Sequence, residues 1–221
     1  DPFLRIEAFG TSVRIMANGT LETIECADPI EELKRRMEPF QPARLPELPP
    51  FTSGVVGYAS YDSVRFSEHL PNAPADDLGL PDISFSFYDR LVVFDNVTKS
   101  LDVVVLAHIN DTSAAGVAHA YEIACQRIDA TIELLFRPSP WPVAADIGSQ
   151  ADAYDLVNGM THSTFPREEF LAAVRRVTEY IRAGDLFQAV LSRRIEVPFA
   201  CPPLELYRTL RVVNPSPFMF Y

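Results

Sequence analysis

The alternation of apolar and polar residues predicts short strands at the start of the chain. Residues 3–8 and 12–25 alternate with a period of two, and the Asn-Gly pair inside the second run favours a two-residue hairpin turn. Apolar residues then recur at helical spacing after Asp28, which can cap a helix that begins at Pro29. The chain is therefore expected to open with paired strands followed by a helix.

Further apolar runs predict additional strands and a longer helix. The run at 55–58 is expected to be a buried strand in which Gly57 permits close approach of a neighbouring strand. Residues 83–96 and 100–110 are expected to pair as strands. Residues 112–136 have the composition and the period of a helix.

The proline-rich, polar stretch at 138–165 predicts a linker or a long surface loop. It separates an N-terminal α+β region at 1–137 from a second region at 166–221. There an amphipathic helix ends at a glycine, and residues 185–197 predict a strand with Gln188 on its polar face. Strands first and then helix, strand and helix favour the α+β class with largely antiparallel sheet.

The composition limits the classes of partner that the protein is expected to bind. A net charge of −11 argues against nucleic acid or an anionic membrane, because both need a basic surface. No apolar run approaches the roughly 20 residues of a membrane-spanning helix, and no secretory signal opens the sequence. The three cysteines are far apart without a CxxC pair. We expect a cytoplasmic protein with reduced thiols and without a nucleic-acid or membrane partner.

Motif searches exclude several chemistries. The sequence contains no GxGxxG, phosphate-binding loop, GxSxG or HExxH motif, and its four histidines lack ligand spacing, so no metal ligands are predicted. Two features remain open. Gln188 is either a satisfied inward amide or a functional group. The closing NPSPFMFY is either a core strand separated from its partners or a groove for a flat apolar ligand.

Three segments carry a resemblance to a known family. GVVGYASYDSVR, PREEFLAAVRRVTEYIRAGDLFQAVLSRRIEVP and PLELYRTLRVVNPSPFMFY resemble the large, chorismate-binding subunit of anthranilate synthases. The broader family includes aminodeoxychorismate, isochorismate and salicylate synthases. The resemblance implies an α+β fold with largely antiparallel sheets packed orthogonally and helices outside. It also implies a lyase of tryptophan biosynthesis, in which ammonia replaces the ring hydroxyl of chorismate with Mg²⁺ help and pyruvate is eliminated.

The resemblance also assigns roles to residues. Family members that add water to chorismate resemble KVVLSR at the position of Gln188, where lysine acts as a base, and ammonia-using members carry glutamine. A neutral amide can orient a nucleophile but cannot take its proton, so Gln188 is expected to orient ammonia. By the same resemblance, tryptophan as feedback inhibitor contacts Pro217, Phe218, Met219 and Phe220. Ammonia comes from a glutamine amidotransferase partner or from free ammonium.

Two alternatives stay open at this point. Phe218 agrees with the NPAPFSAY motif typical of aminodeoxychorismate synthases, whereas Ser216 and Met219 follow anthranilate synthases. The family's Mg²⁺ ligands and catalytic histidine are expected downstream of Tyr221, so the 221 residues alone are expected to be an incomplete, inactive part of the enzyme. They would then be a non-catalytic fragment that binds tryptophan or docks the amidotransferase.

Overall fold

The computed structural model describes residues 1–43, 45–138 and 162–221. Backbone contacts divide the chain into two units, Asp1–Pro138 and Ser139–Tyr221. Most of the predicted linker at 138–165 lies outside the described residues. The division into regions at 1–137 and 166–221 therefore stays a prediction.

An antiparallel sheet of five strands forms the centre of the first unit. The strands are β1 (Leu4–Phe9), β2 (Ser12–Ala17), β3 (Thr20–Glu25), β4 (Gly54–Ala59) and β5 (Ile83–Tyr88). Their order is β3-β2-β1-β5-β4. β1 thus pairs with its sequence neighbour β2 on one side and with the distant β5 on the other.

The turn between β2 and β3 has the predicted chemistry. Asn18 and Gly19 have φ values of 51° and 76°, which a two-residue turn of this hand requires and which these two residue types tolerate. The turn sets the register that places Ala17 opposite Thr20. The predicted hairpin is confirmed.

The core lies on one face of the sheet. Ile6 of β1 is opposite Ile15 of β2 and Phe85 of β5, so apolar side chains from three strands meet. Fully burying each such side chain contributes roughly 1.5–3 kcal/mol. The buried cluster comprises Leu4, Ile6, Ala8, Val13, Ile15, Leu33, Ile83 and Phe87.

The first helix, α1 (Pro29–Met37), contributes Leu33 to this core. The Asp28 carboxylate caps it as predicted and accepts hydrogen bonds from the backbone N–H groups of Ile30 (2.9 Å) and Glu31 (3.2 Å). These bonds satisfy donors that the first turn of a helix leaves without intrahelical partners. The cap therefore fixes where the chain turns from β3 toward the core.

The expectation that residues 55–58 form a buried strand is wrong in one respect. β4 is a strand, but it lies at an edge of the sheet and Val56 and Tyr58 are exposed. Gly57 does permit close approach. A Cβ atom there would lie 1.9 Å from the carbonyl oxygen of Ser84 and 2.7 Å from the Cα of Phe85, both in β5.

The predicted strand at 83–96 is divided at Asp89. β5 ends before it and joins the large sheet, whereas β6 (Arg90–Asp95) and β7 (Ser100–Val105) form a separate antiparallel hairpin. A 3₁₀ helix spans Tyr61–Phe66. The long helix α2 (Ala114–Leu135) follows β7 and packs against it.

The described residues of the second unit, 162–221, form two helices and a short ladder. α3 (Arg167–Ala183) ends at Gly184, whose φ of 85° is the left-handed value that a glycine stop provides. α4 (Pro203–Val213) follows later in the chain. Two strands of two residues each, β8 (His162–Ser163) and β9 (Ile195–Glu196), pair antiparallel.

The predicted strand at 185–197 is mostly absent. A strand needs a hydrogen-bonded neighbour, and within the described residues only β8 pairs with this segment, at β9. The alternation of polar and apolar residues is present without the partner that would turn it into a strand.

The predicted α+β class with antiparallel sheets is confirmed, since every ladder described is antiparallel. In the described ranges, no helix combines the length and the apolar character needed to cross a membrane.

Candidate functional site

The segment that carries Gln188 connects α3 to β9 and is fixed at both ends. At its start, the backbone N–H of Asp185 donates to the carbonyl of Tyr180 (3.0 Å) and closes the end of α3. At its far end, the N–H of Thr164 donates to the carbonyl of Arg194 (3.1 Å) beside the β8–β9 ladder. The residues between these anchors form an irregular connection.

Gln188 is exposed in this connection. Within the described part of the chain, its side-chain amide makes no hydrogen bond, and both explanations of this residue stay predictions. An exposed amide has two donors and one acceptor oxygen available for a ligand. It can hold a neutral nucleophile in place, but it has no titrating group with which to remove a proton.

Two arginines follow Gln188 on the same segment. The guanidinium of Arg193 lies over the Phe170 ring of α3, 5.9 Å from the ring centroid. The Nε of Arg194 lies 2.9 Å from a carboxylate oxygen of Glu196. The charge of Arg194 is therefore balanced by Glu196, whereas the charge of Arg193 lies against an aromatic ring.

The predicted effector residues follow α4. The hydroxyl of Tyr207 donates to the carbonyl of Met219 (3.3 Å), and the Tyr207 and Tyr221 rings are 5.6 Å apart. These contacts fold the segment back on the helix. Met219 is half-buried, whereas Phe218 and Phe220 are each 79% exposed. Their large apolar surfaces are available for contact with another group.

Gln188 and the residues 217–220 belong to the same unit. Among the described residues, no hydrogen bond or ring contact joins them. Their assignment as an orienting residue and an effector-binding segment stays a prediction.

Sequence reasoning missed a cluster of charged residues in the first unit. The Asp89 carboxylate, only 7% exposed, accepts two hydrogen bonds from the guanidinium of Arg127 (2.8 and 2.9 Å) and lies 2.8 Å from Nε2 of His108. Asp89 separates β5 from β6 and Arg127 is on α2. The cluster therefore joins the long helix to the junction between the two sheets.

Opposing effects act on the pKa of Asp89. Burial raises it, but the hydrogen bonds from Arg127 and His108 and the charges of these two residues lower it by more. The net pKa is below the ordinary value, and the carboxylate stays charged at neutral pH.

One signal in the sequence marks this cluster. Asp89 interrupts a run of apolar and aromatic residues that otherwise reads as one strand. A charged residue inside such a run is either a strand end or a buried group with a partner. The partners, 19 and 38 residues further along the chain, have no local pattern that reveals them.

In the ranges that the structure describes, no group of three or more His, Cys, Asp or Glu side chains is placed to hold a metal ion.

Comparison with known proteins gives one consistent result. A family model described as chorismate binding enzyme matches residues 3–221. Anthranilate synthase component 1 of Acetivibrio thermocellus is 37% identical over 222 aligned positions, which cover 100% of this chain and 44% of that protein. The protein of the same name from Thermus thermophilus is 40% identical over 201 aligned positions, which cover 90% of this chain and 39% of that protein.

A solved structure shares the fold. The crystal structure of anthranilate synthase component I from Streptococcus pneumoniae TIGR4 matches with a TM-score of 0.71 and 24% identity. The match covers 100% of this chain and 45% of that one. The chain thus spans less than half the length of these relatives.

Proposed function

Because the chain belongs to the chorismate-binding enzyme family, we propose that it is part of the large subunit of an anthranilate synthase. In this reaction ammonia forms a C–N bond to the ring of chorismate as water leaves. Loss of pyruvate then gives anthranilate. The observation that carries the proposal is similarity along the whole chain to proteins named anthranilate synthase component 1.

Gln188 orients the ammonia in this proposal. Its exposed amide lies on a segment anchored at both ends, which suits a group that must present hydrogen-bonding atoms in one direction. Ammonia, the deprotonated form of ammonium, is already nucleophilic. An amide that orients it is therefore sufficient, whereas the addition of water would need a proton acceptor.

Binding of chorismate needs positive charge, because chorismate is a dianion. The arginine content of residues 162–221 makes this end of the chain the more suitable one. Residues 162–221 contain eight arginines against six acidic residues, although the whole chain has a net charge of −11.

Magnesium belongs to the proposed reaction, but the described residues do not supply a ligand set for it. We assign the ion to the remainder of the enzyme and derive no step through it.

The proposed partners are a glutamine amidotransferase, as the ammonia source, and tryptophan, as a feedback inhibitor. The exposed rings of Phe218 and Phe220 support an aromatic effector, since offset or edge-on ring contacts stabilise such a complex. The compartment we propose is the cytoplasm.

The test uses the complete product of the gene that encodes this chain. With chorismate, Mg²⁺ and ammonium, we expect anthranilate fluorescence. The 221-residue chain alone is expected to give none.

The variant Gln188→Lys is expected to lose about 10²-fold in kcat/KM, the scale of a misplaced reactant. The matched control Gln126→Lys, at an exposed position of α2, is expected to keep full activity. Absence of anthranilate from the complete product would overturn the proposal.

A second candidate function is aminodeoxychorismate synthesis, in which the amino group is added and pyruvate is kept. The observation in its favour is Phe218, where anthranilate synthases typically have tyrosine. Product analysis separates the two, because only anthranilate formation releases pyruvate.

If the 221 residues act alone, the remaining candidate is a non-catalytic fragment that binds tryptophan or the amidotransferase. Calorimetry with tryptophan and with the amidotransferase would detect such binding.

A further inference from the structure

A half-open, mostly apolar pocket of about 180 Å³, hereafter the cavity, lies in the first unit, with Ser53 among its lining residues. Phe87 and Tyr88 of β5, Val55 of β4 and Phe3 line it, together with Met37 and Phe40 at the end of α1. None of the residues proposed for chorismate or tryptophan is among its lining residues. No charged side chain occurs among the described residues that line it.

Three aromatic rings hold the walls of this cavity in place. The centroids of Phe3 and Phe40 are 5.2 Å apart, and those of Phe3 and Phe87 and of Phe40 and Phe87 are 6.0 and 6.1 Å apart. These separations are within the range of favourable aromatic pairs. Each ring therefore restrains the other two.

The Asp89 cluster supports the same walls. The His108 ring meets Phe3 and Phe40 edge-on, with centroid distances of 5.5 and 5.9 Å, and its Nε2 is held by Asp89. These contacts restrain the walls, so a ligand that enters has little ordering cost to overcome.

Size and lining define the ligand. An apolar space of roughly 150 Å³ is large enough to take up benzene. A charged ligand would lose its hydration without gaining a partner. We propose that this cavity is a binding site for a small, uncharged aromatic molecule with a single ring. The proposal does not rest on the chorismate chemistry.

The test follows methionine methyl groups by NMR in the complete product of the gene that encodes this chain while toluene is added. Met37 of α1 lines the cavity, whereas Met16 of β2 alternates with the buried residues Val13 and Ile15 and is not among the lining residues. We expect the Met37 signal to shift and saturate with a Kd on the order of 1 mM. The Met16 signal is expected to stay in place.

Two variants of one strand make the test specific. Val55→Phe places a ring in the cavity and is expected to weaken toluene binding at least tenfold. Val56→Phe adds the same ring on the opposite, exposed face of β4 and is expected to leave binding unchanged. Circular dichroism checks that both variants fold. If either variant does not fold, the Met37 titration of the wild-type protein still tests whether toluene binds.

Three results would overturn the proposal. One is a Met37 signal that does not saturate, and another is an equal effect of the two valine variants in folded protein. The third is binding of benzoate as tightly as toluene, which would show that the site accepts a charged ring.

Discussion

At the scale of single residues, position in the backbone decides what a side chain is able to do. Gly57 faces β5 so closely that any side chain would enter the neighbouring backbone. Sequence analysis anticipated this close approach, because a glycine inside an apolar run has no other ready explanation. Asn18 and Gly19 were equally predictable from turn chemistry.

Substitution of Gly57 tests the close approach. We expect Gly57→Ala to lower the free energy of unfolding by about 1–3 kcal/mol, the usual range for overpacking, because β4 must move away from β5. Urea titration measures the change. The control Gly79→Asn adds a side chain where no atom lies within 4 Å and where φ is +60°, a value asparagine tolerates. Equal losses for the two variants would contradict the steric explanation.

Other residues were not predictable from their neighbours in sequence. The histidines gave no sign that His108 lies between two phenylalanine rings and a buried carboxylate, because this environment depends on long-range pairing. Gln188 was placed on a strand from its alternation with apolar residues, and the described structure gives it no strand partner. An alternating pattern predicts the sheet face on which a side chain lies, but this prediction holds only if the segment forms a strand.

At the scale of strands and helices, α2 depends on a charged contact. Its packing against β7 is accompanied by the paired hydrogen bonds from Arg127 to the buried Asp89. The sequence predicted the helix from its period. It did not predict how the helix is held, since ion pairs between distant residues leave no periodic signal.

Removal of Arg127 should loosen this helix. Arg127→Ala leaves a buried carboxylate with only His108 as partner, and we expect a loss of about 3 kcal/mol in the free energy of unfolding. The control Arg137→Ala removes an exposed arginine just after the same helix and should change stability by less than about 0.5 kcal/mol. A loss of similar size in both variants, measured by chemical denaturation, would contradict the role of the ion pair.

The same contact predicts a response to acid. The folded-state pKa of Asp89 is lowered, so its contribution to stability is present above the unfolded pKa of about 3.9 and is lost as pH falls through the folded value. We expect the wild-type protein to lose stability in this acid range and Asp89→Asn to lose less there. Thermal melts of the wild-type protein and of Asp89→Asn from about pH 2 to about pH 6, which spans this acid range, measure the difference. Glu133→Gln, an exposed acid of α2, is expected to retain the wild-type profile.

At the scale of the whole molecule, the two units differ in how much they bury. The first unit has a continuous core, whereas α3 and α4 contain no buried residue among those described. Large apolar side chains are exposed in the second unit, including Phe187 at 93% and Val190 at 80%. The amphipathic pattern of these helices was predictable, but the surfaces that their apolar sides cover are not visible in the sequence.

This exposed apolar surface predicts self-association of the 221-residue chain. Large apolar side chains that are exposed together favour association with other apolar surfaces. We expect light scattering to show oligomers that grow with concentration. Replacing Phe187 and Val190 together by serine should reduce them, whereas replacing the exposed Val97 of the first unit should not. A monodisperse monomer would show that the surface is tolerated in water.

The order of strands in the large sheet also has a consequence for how the chain acquires its fold. β2 and β3 follow β1 directly, so this three-stranded meander can assemble within microseconds of leaving the ribosome. The other side of β1 waits for β5, which is synthesised several seconds later at roughly 5–20 residues per second. During that interval the nascent chain presents an unpaired edge strand, the structure most prone to pair with another chain. We expect this edge of β1 to be open to such pairing until β5 closes the sheet.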